Sequence, residues 1–191
     1  MAVRTPRGSA RELLLDAAQS RFAGDGALAA TLEEIRAEAG VSTGALYHHF
    51  ADKRALAGAL YLRVLGRFQD EFSGTLEDHD DAEDGIKAGV RRTIQWCLSN
   101  RAEARLLFEG AGAADDEELA GLNRVFFRRT MRWYAGHAHY GVLRELDPPL
   151  VSALWLGPTF EYLRAAPARV DAITRDELAE AAWLALREEP G

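Results

Sequence analysis

The sequence predicts an all-α protein of about nine helices, three short ones in front and longer ones behind. Three observations predict it. Apolar residues recur at steps of three and four along most of the 191 residues. Capping sequences of the Ser/Thr-x-x-Glu kind stand ahead of several of these runs. No stretch shows convincing strand alternation. With 48% apolar residues, the chain can bury a substantial core, as one domain or as a small domain joined to a larger one.

Residues 1–8 hold Pro6 and Gly8 with Arg4 and Arg7 and read as a flexible arm. Ser9-Ala10-Arg11-Glu12 has capping-box form, and Leu14, Ala17, Ala18 and Phe22 follow at helical spacing, so a first helix runs to about Phe22 or Ala23. Gly24-Asp25-Gly26 stops it. Thr31-Leu32-Glu33-Glu34 opens a short second helix whose Leu32, Ile35 and Ala39 share a face. In Ala39-Gly40-Val41-Ser42, Gly40 can take the left-handed conformation that ends one helix, and Ser42 can cap the next. That third helix, from about Ser42 to His48 or His49, buries Val41, Ala45 and Leu46 and turns Thr43, Gly44, Tyr47 and His48 outward. Phe50 plugs the core between the first and third helices. Asp52 caps a long fourth helix carrying Leu56, Leu60, Val64 or Leu65, Phe68 and Phe72.

Thr75 to Asp84 is the least apolar stretch, and two readings stand beside each other: a solvated connector, or carboxylates with His79 around a cation. Its last acids suit the start of a fifth helix with Ile86, Val90, Ile94, Cys97 and Leu98. A shorter sixth helix carries Ala104, Leu107 and Phe108 and ends at Gly110 to Gly112. Asp115 to Glu118 opens a long seventh with Leu119, Leu122, Phe126, Thr130, Trp133 and His137. Asp147-Pro148-Pro149 starts an eighth, with Leu150, Leu154, Trp155 and Phe160, broken at Ala165 to Arg169. Thr174-Arg175-Asp176-Glu177 reads as a capping box before a last helix with Leu178, Ala181, Ala182 and Ala185.

Two short helices crossing at a tight turn form a helix-turn-helix. Small residues let the second helix approach base edges, while Tyr47 and His48 are long enough to reach phosphates or bases. Thr31, Ile35, Ala39-Gly40-Val41-Ser42, Gly44, Leu46, Tyr47, His49-Phe50, Lys53 and Leu56 together resemble the DNA-binding domain of the TetR family of transcriptional regulators. One position departs: four residues before the turn glycine the motif usually has a small Ala, and here stands Arg36, whose stem is expected along the helix with its guanidinium outward, toward a phosphate. Charge alone does not lead to DNA. The formal net charge is −7, and residues 1–56 hold seven basic and seven acidic side chains against 16 and 23 in the rest. Arg4, Arg7, Arg11, Lys53 and Arg54 have to supply phosphate attraction locally, and the arm is either a plain tail or a contact to phosphates or the minor groove.

The resemblance implies a helix-turn-helix DNA-binding domain with a basic arm over residues 1–55 and a helical effector-binding and dimerisation domain over 56–191. It implies DNA contacts from Thr31, Ser42, Thr43, Gly44, Tyr47, His48 and Lys53; Thr31 has a capping role besides. It implies that some of Trp96, Phe108, Phe126, Trp133, Tyr134 and Trp155 line a cavity for a small, mostly apolar effector, where a bundle core alone would also explain most of them. It implies a dimer built on the last two helices, with Trp155, Phe160, Leu178, Ala182 and Ala185 at the interface; the rival is an intramolecular contact. The function expected is a ligand-responsive regulator, a repressor on a near-palindromic operator of double-stranded DNA, bound as a homodimer and released by an effector of unknown identity.

The alternative is an all-helical small-molecule binding protein that has lost DNA binding, supported by the neutral first third and Arg36. No nucleophile elbow, phosphate-cradling glycine loop or recognisably spaced acid pair proposes an enzyme, and no cofactor is implied. No metal site is expected: His137 and His139 stand two apart and His48 and His49 are adjacent, whereas helical ligand pairs sit three or four apart. Cys97 is expected in the core, a redox sensor being the other reading. No run approaches the roughly 18 apolar residues of a membrane span, and Met1 to Arg7 lacks the apolar core of a signal peptide, so the expected location is the cytoplasm.

Overall fold

The computed structural model describes residues 8–25, 30–110, 112, 114–166 and 170–189, and these form nine helices with no strand beyond a single bridge between Leu143 and Arg187. The expected basic arm with Arg4 and Arg7, and the breaks at Gly26, Ala111 and Pro167 to Arg169, lie outside the described residues. In chain order the helices are α1 (Ala10–Asp25), α2 (Leu32–Ala39), α3 (Thr43–His49), α4 (Lys53–Glu77), α5 (Ala82–Ser99), α6 (Arg101–Glu109), α7 (Asp116–His139), α8 (Pro148–Ala165) and α9 (Ala172–Leu186). They divide into two compact units: Met1–Leu65 with Arg101–Leu119, and Gly66–Asn100 with Ala120–Gly191. Helix α4 contributes to both.

In the first unit α1 packs on α2, α3 and α6, and α2 on α3. Leu14, Leu15, Ala18 and Phe22 of α1 are buried with Ile35, Leu46, Phe50, Leu56 and Leu60, the spacing of three and four that carries the helix reading. Arg63 of α4 ties down α1, donating from Nη1 to Asp16 Oδ1 at 2.6 Å and from Nη2 to the Leu15 carbonyl at 2.9 Å. The Arg11 guanidinium lies 5.8 Å from the Phe50 ring centroid. In α6 the buried residues are Ala104 and Leu106, while Leu107 and Phe108 of the expected face are half-buried. Three consecutive apolar residues on so short a helix leave the period unable to choose the inner one.

The second unit is built on a glycine face of α5. A Cβ at Gly89 would meet Phe72 at 3.1 Å and Trp155 at 3.2 Å, so the missing side chain is what admits those rings. Phe72 packs edge-on against Trp155 and Phe126, with centroids 5.4 and 5.7 Å apart, and Phe68 against Trp96 at 5.2 Å. Trp155 Nε1 donates to the Ile86 carbonyl at 3.0 Å, Trp133 Nε1 to the His79 carbonyl at 2.9 Å, and the Tyr134 hydroxyl to the Arg144 carbonyl at 2.9 Å. Helix α9 lies on α5 and α8, with Lys87 paired to both Glu83 and Glu180.

Two boundaries differ from the sequence reading. Helix α4 continues through Thr75 to Glu77, because Arg129 of α7 forks onto its last turn, with Nε and Nη2 each 3.0 Å from a Glu77 oxygen and Nη1 3.0 Å from Asp70. The connector is therefore only Asp78 to Asp81, and Asp81 caps α5. Helix α9 begins at Ala172, ahead of the Thr174 box: Asp171 accepts the Thr174 N–H at 2.7 Å and is an equally good cap three residues earlier.

Candidate nucleic-acid interface

The turn between α2 and α3 is set by local hydrogen bonds. Thr31 and Glu34 form a complete capping box: the Glu34 N–H donates to Thr31 Oγ1 at 3.2 Å, and Glu34 Oε2 accepts the Thr31 N–H at 2.7 Å and its hydroxyl at 2.8 Å. These bonds from the Thr31 backbone and side chain hold the Glu34 carboxyl below its ordinary range, with weaker attraction from Arg21 and Lys53. Gly40 ends α2 at φ 67°, where a side chain would be strained although nothing stands within 4 Å of its Cβ position. Ser42 then caps α3, its Oγ accepting the Ala45 N–H at 3.1 Å.

Arg36 does not reach outward as its position suggested. Its Nη1 donates to the Val41 carbonyl at 2.7 Å and its Nε to Glu33 at 2.8 Å, so the guanidinium bridges the turn. The Glu33 partnership raises the Arg36 pKa and lowers that of Glu33. Sequence reasoning missed this because the acceptor is a backbone carbonyl exposed only once the turn has formed.

Burial fixes the rotation of α3. Leu46 is fully enclosed, and Val41 and Phe50 are buried on either side of it. The same rotation leaves Thr43, Gly44, Tyr47 and His48 exposed together, Tyr47 at 57%. A Cβ at Gly44 would meet nothing nearer than Ser42 Oγ at 4.0 Å, so neither packing nor backbone conformation asks for a glycine there. Ser42 stands at the N-terminus of α3, Thr31 at that of α2, and Lys53 is the first residue of α4, half-buried, beside the exposed Arg54. Asp52 caps α4 through the Ala55 N–H at 2.8 Å.

The remaining expected site residues lie elsewhere. Trp96, Phe126, Trp133, Tyr134 and Trp155 belong to the aromatic network of the second unit, whereas Phe108, on α6, belongs to the first. Two of the expected interface residues are corrected. Trp155 is 2% exposed with its indole N–H given to Ile86, and Ala182 is 3% exposed, so both face inward; Phe160, Leu178 and Ala185 are half-buried. The large apolar residues that α8 and α9 turn outward are Leu150, Ile173 and Leu184. Neither helix has a clear apolar stripe, and periodicity alone cannot say which side turns in. Burial pushes the Cys97 thiol up to about 12, so it stays protonated at neutral pH. In the acidic connector, His79 Nδ1 lies 2.7 Å from the Thr75 carbonyl and Asp81 is committed to its cap.

A capped three-helix unit with a glycine turn and an exposed second helix defines a helix-turn-helix protein. The model for bacterial regulatory proteins of the tetR family matches residues 14–60, from the first turns of α1 into α4. Residues 14–60 thus carry the DNA-binding region of the TetR family. It is similar to the transcriptional activator FasR of Mycolicibacterium smegmatis, 32% identical over 123 residues, which are 64% of this chain and 48% of that protein. It is also similar to the transcriptional regulator UidR of Escherichia coli K12, 37% identical over 68 residues, 34% of this chain and 35% of that one. The chain thus spans half or less of the length of these relatives. Among solved structures, a TetR family regulator from Marinobacter aquaeolei VT8 superposes with a TM-score of 0.71 at 17% identity, over 95% of this chain and 97% of that one. A tetR family protein from Rhodococcus RHA1 gives 0.68 at 23%, over 93% and 95%. At such identities the likeness shows the fold alone. The family is one of transcription regulators, not enzymes. Among the described residues no helix is long and apolar enough to cross a membrane.

Proposed function

We propose that the chain is a DNA-binding transcriptional regulator that reads a near-palindromic operator as a homodimer, acts as a repressor, and leaves DNA when a small-molecule effector binds its second unit. The observation that carries the DNA reading is Gly44. A glycine inside a helix costs stability relative to almost any other residue, and nothing within the chain requires this one. On the exposed face of α3 its smallness leaves room for close approach to a groove wall. In this reading the head is residues 1–55. Thr43, Gly44 and His48 stand nearest the bases. Tyr47, Lys53, Thr31 and the Ser42 end of α3 fix register on phosphates.

The outward apolar residues Leu150, Ile173 and Leu184 support a two-fold contact through α8 and α9, with residues 56–191 as the effector and dimer portion. Helix α4 is common to both units, so a shift of its second half on effector binding reaches Lys53 and the head. Replacing Tyr47 by Ala is expected to weaken operator binding about tenfold or more in a fluorescence-anisotropy titration; unchanged affinity would remove Tyr47 from the interface. The likeness to FasR, named an activator, favours a second reading of the sign. A reporter driven through the selected operator decides it: output that rises when the regulator is deleted means repression, and output that falls means activation.

A further inference from the structure

Four polar atoms of the second unit are shielded from solvent and have no hydrogen-bond partner among the described residues: Ser73 Oγ, Trp96 Nε1, Thr130 Oγ1 and Thr159 Oγ1. Their residues are 2, 2, 4 and 1% exposed and lie on four different helices, α4, α5, α7 and α8. Helical hydroxyls normally avoid this state by bonding back to the carbonyl four residues earlier. In the same unit Thr75 does so to Glu71 and Thr93 to Gly89, each at 2.9 Å. Ser73, Thr130 and Thr159 do not.

Trp96 belongs to one continuous set of rings, and the three hydroxyls stand on helices that contribute to it. Trp96 packs on Phe68, Phe68 on Phe72, and Phe72 on both Phe126 and Trp155. Ser73 follows Phe72 in sequence. Thr130 lies one helical turn beyond Phe126 and Thr159 one turn beyond Trp155, each on its helix's buried face. Among the described residues no charged side chain is buried. On these four helices the half-buried arginine and lysine side chains of this unit already have partners: Arg129 has Glu77 and Asp70, Arg92 has Glu71 and Thr75, and Lys87 has Glu83 and Glu180.

We infer that the interior between α4, α5, α7 and α8 binds an uncharged, largely aromatic molecule whose polar groups pair with Ser73, Trp96, Thr130 and Thr159. The indole N–H of Trp96 only donates, so at least one of those groups is an acceptor such as a carbonyl. The three hydroxyls donate or accept. A carboxylate or ammonium group would find no counter-charge there, and burying it unpaired is prohibitive. This inference rests on the effector reading above and narrows its chemistry.

The test uses the full chain and three probes on one skeleton, 4-acetylbiphenyl, biphenyl-4-carboxamide and biphenyl-4-carboxylate, titrated by calorimetry. The ketone and the amide are expected to bind, with the carboxylate at least about tenfold weaker, and the Thr130→Val, Thr159→Val double variant is expected to lose about tenfold or more for the amide. Equal or tighter carboxylate binding overturns the inference, as does unchanged affinity in the double variant or no binding by either neutral probe at its solubility limit. The unliganded double variant is a second readout that folding failure cannot mimic. Removing unpartnered hydroxyls leaves the melting temperature equal or higher, whereas a fall would show that they are structurally satisfied and would overturn the inference. Operator affinity in the same samples separates this inference from its parent. Neutral probes that bind without weakening the operator complex contradict the effector reading and leave the assigned chemistry standing. A carboxylate that binds and releases DNA does the reverse.

Discussion

A side chain at position 85 and the indole of Trp133 exclude one another: a Cβ at Gly85 would fall 2.2 Å from Trp133 Cζ2 and 2.6 Å from Cη2. Trp133 is also anchored by its N–H to the His79 carbonyl, so the ring has little freedom to retreat. Gly85→Ala is therefore expected to lower stability by about 1–3 kcal/mol or more, read from the urea midpoint. Gly89→Ala, where the nearest ring atom is 3.1 Å away, should cost less. Equal and negligible effects at both positions would show that α5 does not depend on its glycine face.

Gly44→Ala tests the opposite situation. With open space around the position, the folded protein should lose nothing and gain up to about 0.5–1 kcal/mol from the better helix former. Operator affinity is expected to fall about tenfold or more because the added methyl meets the groove wall. Paired melting and anisotropy measurements check both halves. A variant that is more stable and binds as before would contradict the reading of Gly44.

Thr31→Val removes the cap of α2 and should cost about 1 kcal/mol at neutral pH. The pH dependence follows from Glu34, whose folded pKa is depressed by Thr31. A depressed carboxylate contributes stability that is full above its unfolded pKa and is lost as pH falls through the folded value. The gap between wild type and Thr31→Val should thus be constant near neutrality and narrow in the acid range, below the ordinary glutamate value of about 4.3. Urea titrations at several pH values measure it; a gap that widens on acidification has the wrong sign.

Helix-turn-helix features were legible in the sequence because their causes are local. The Thr31 box, the Gly40 turn and the Ser42 cap each join residues within about one turn, and the spacing of Leu46 and Phe50 fixes the outward face. What was not legible depends on contacts distant in the chain. Trp155 is held inward by Ile86, 69 residues away, so its aromatic character alone placed it equally well in a cavity, a core or an interface. The unpartnered hydroxyls of Thr130 and Thr159 look in sequence like any threonine on an apolar face. Only the packed interior shows that they lack partners.

Ile173 and Leu184 are 73 and 51% exposed on α9 and are the strongest candidates for a contact with a second copy. An Ile173→Asp, Leu184→Asp double variant should convert a dimer to a monomer in light scattering with helical content unchanged. A mass identical to wild type would move the interface elsewhere.

DNA reading by α3 is the property on which the proposed function stands. Selecting bound sequences from random duplex DNA tests it most directly, followed by titration of the enriched site at rising salt. A near-palindrome bound by two copies is expected, with affinity falling steeply as salt rises. No enriched sequence at any salt, from a folded protein that still binds small molecules, would contradict it and leave a helical carrier in its place.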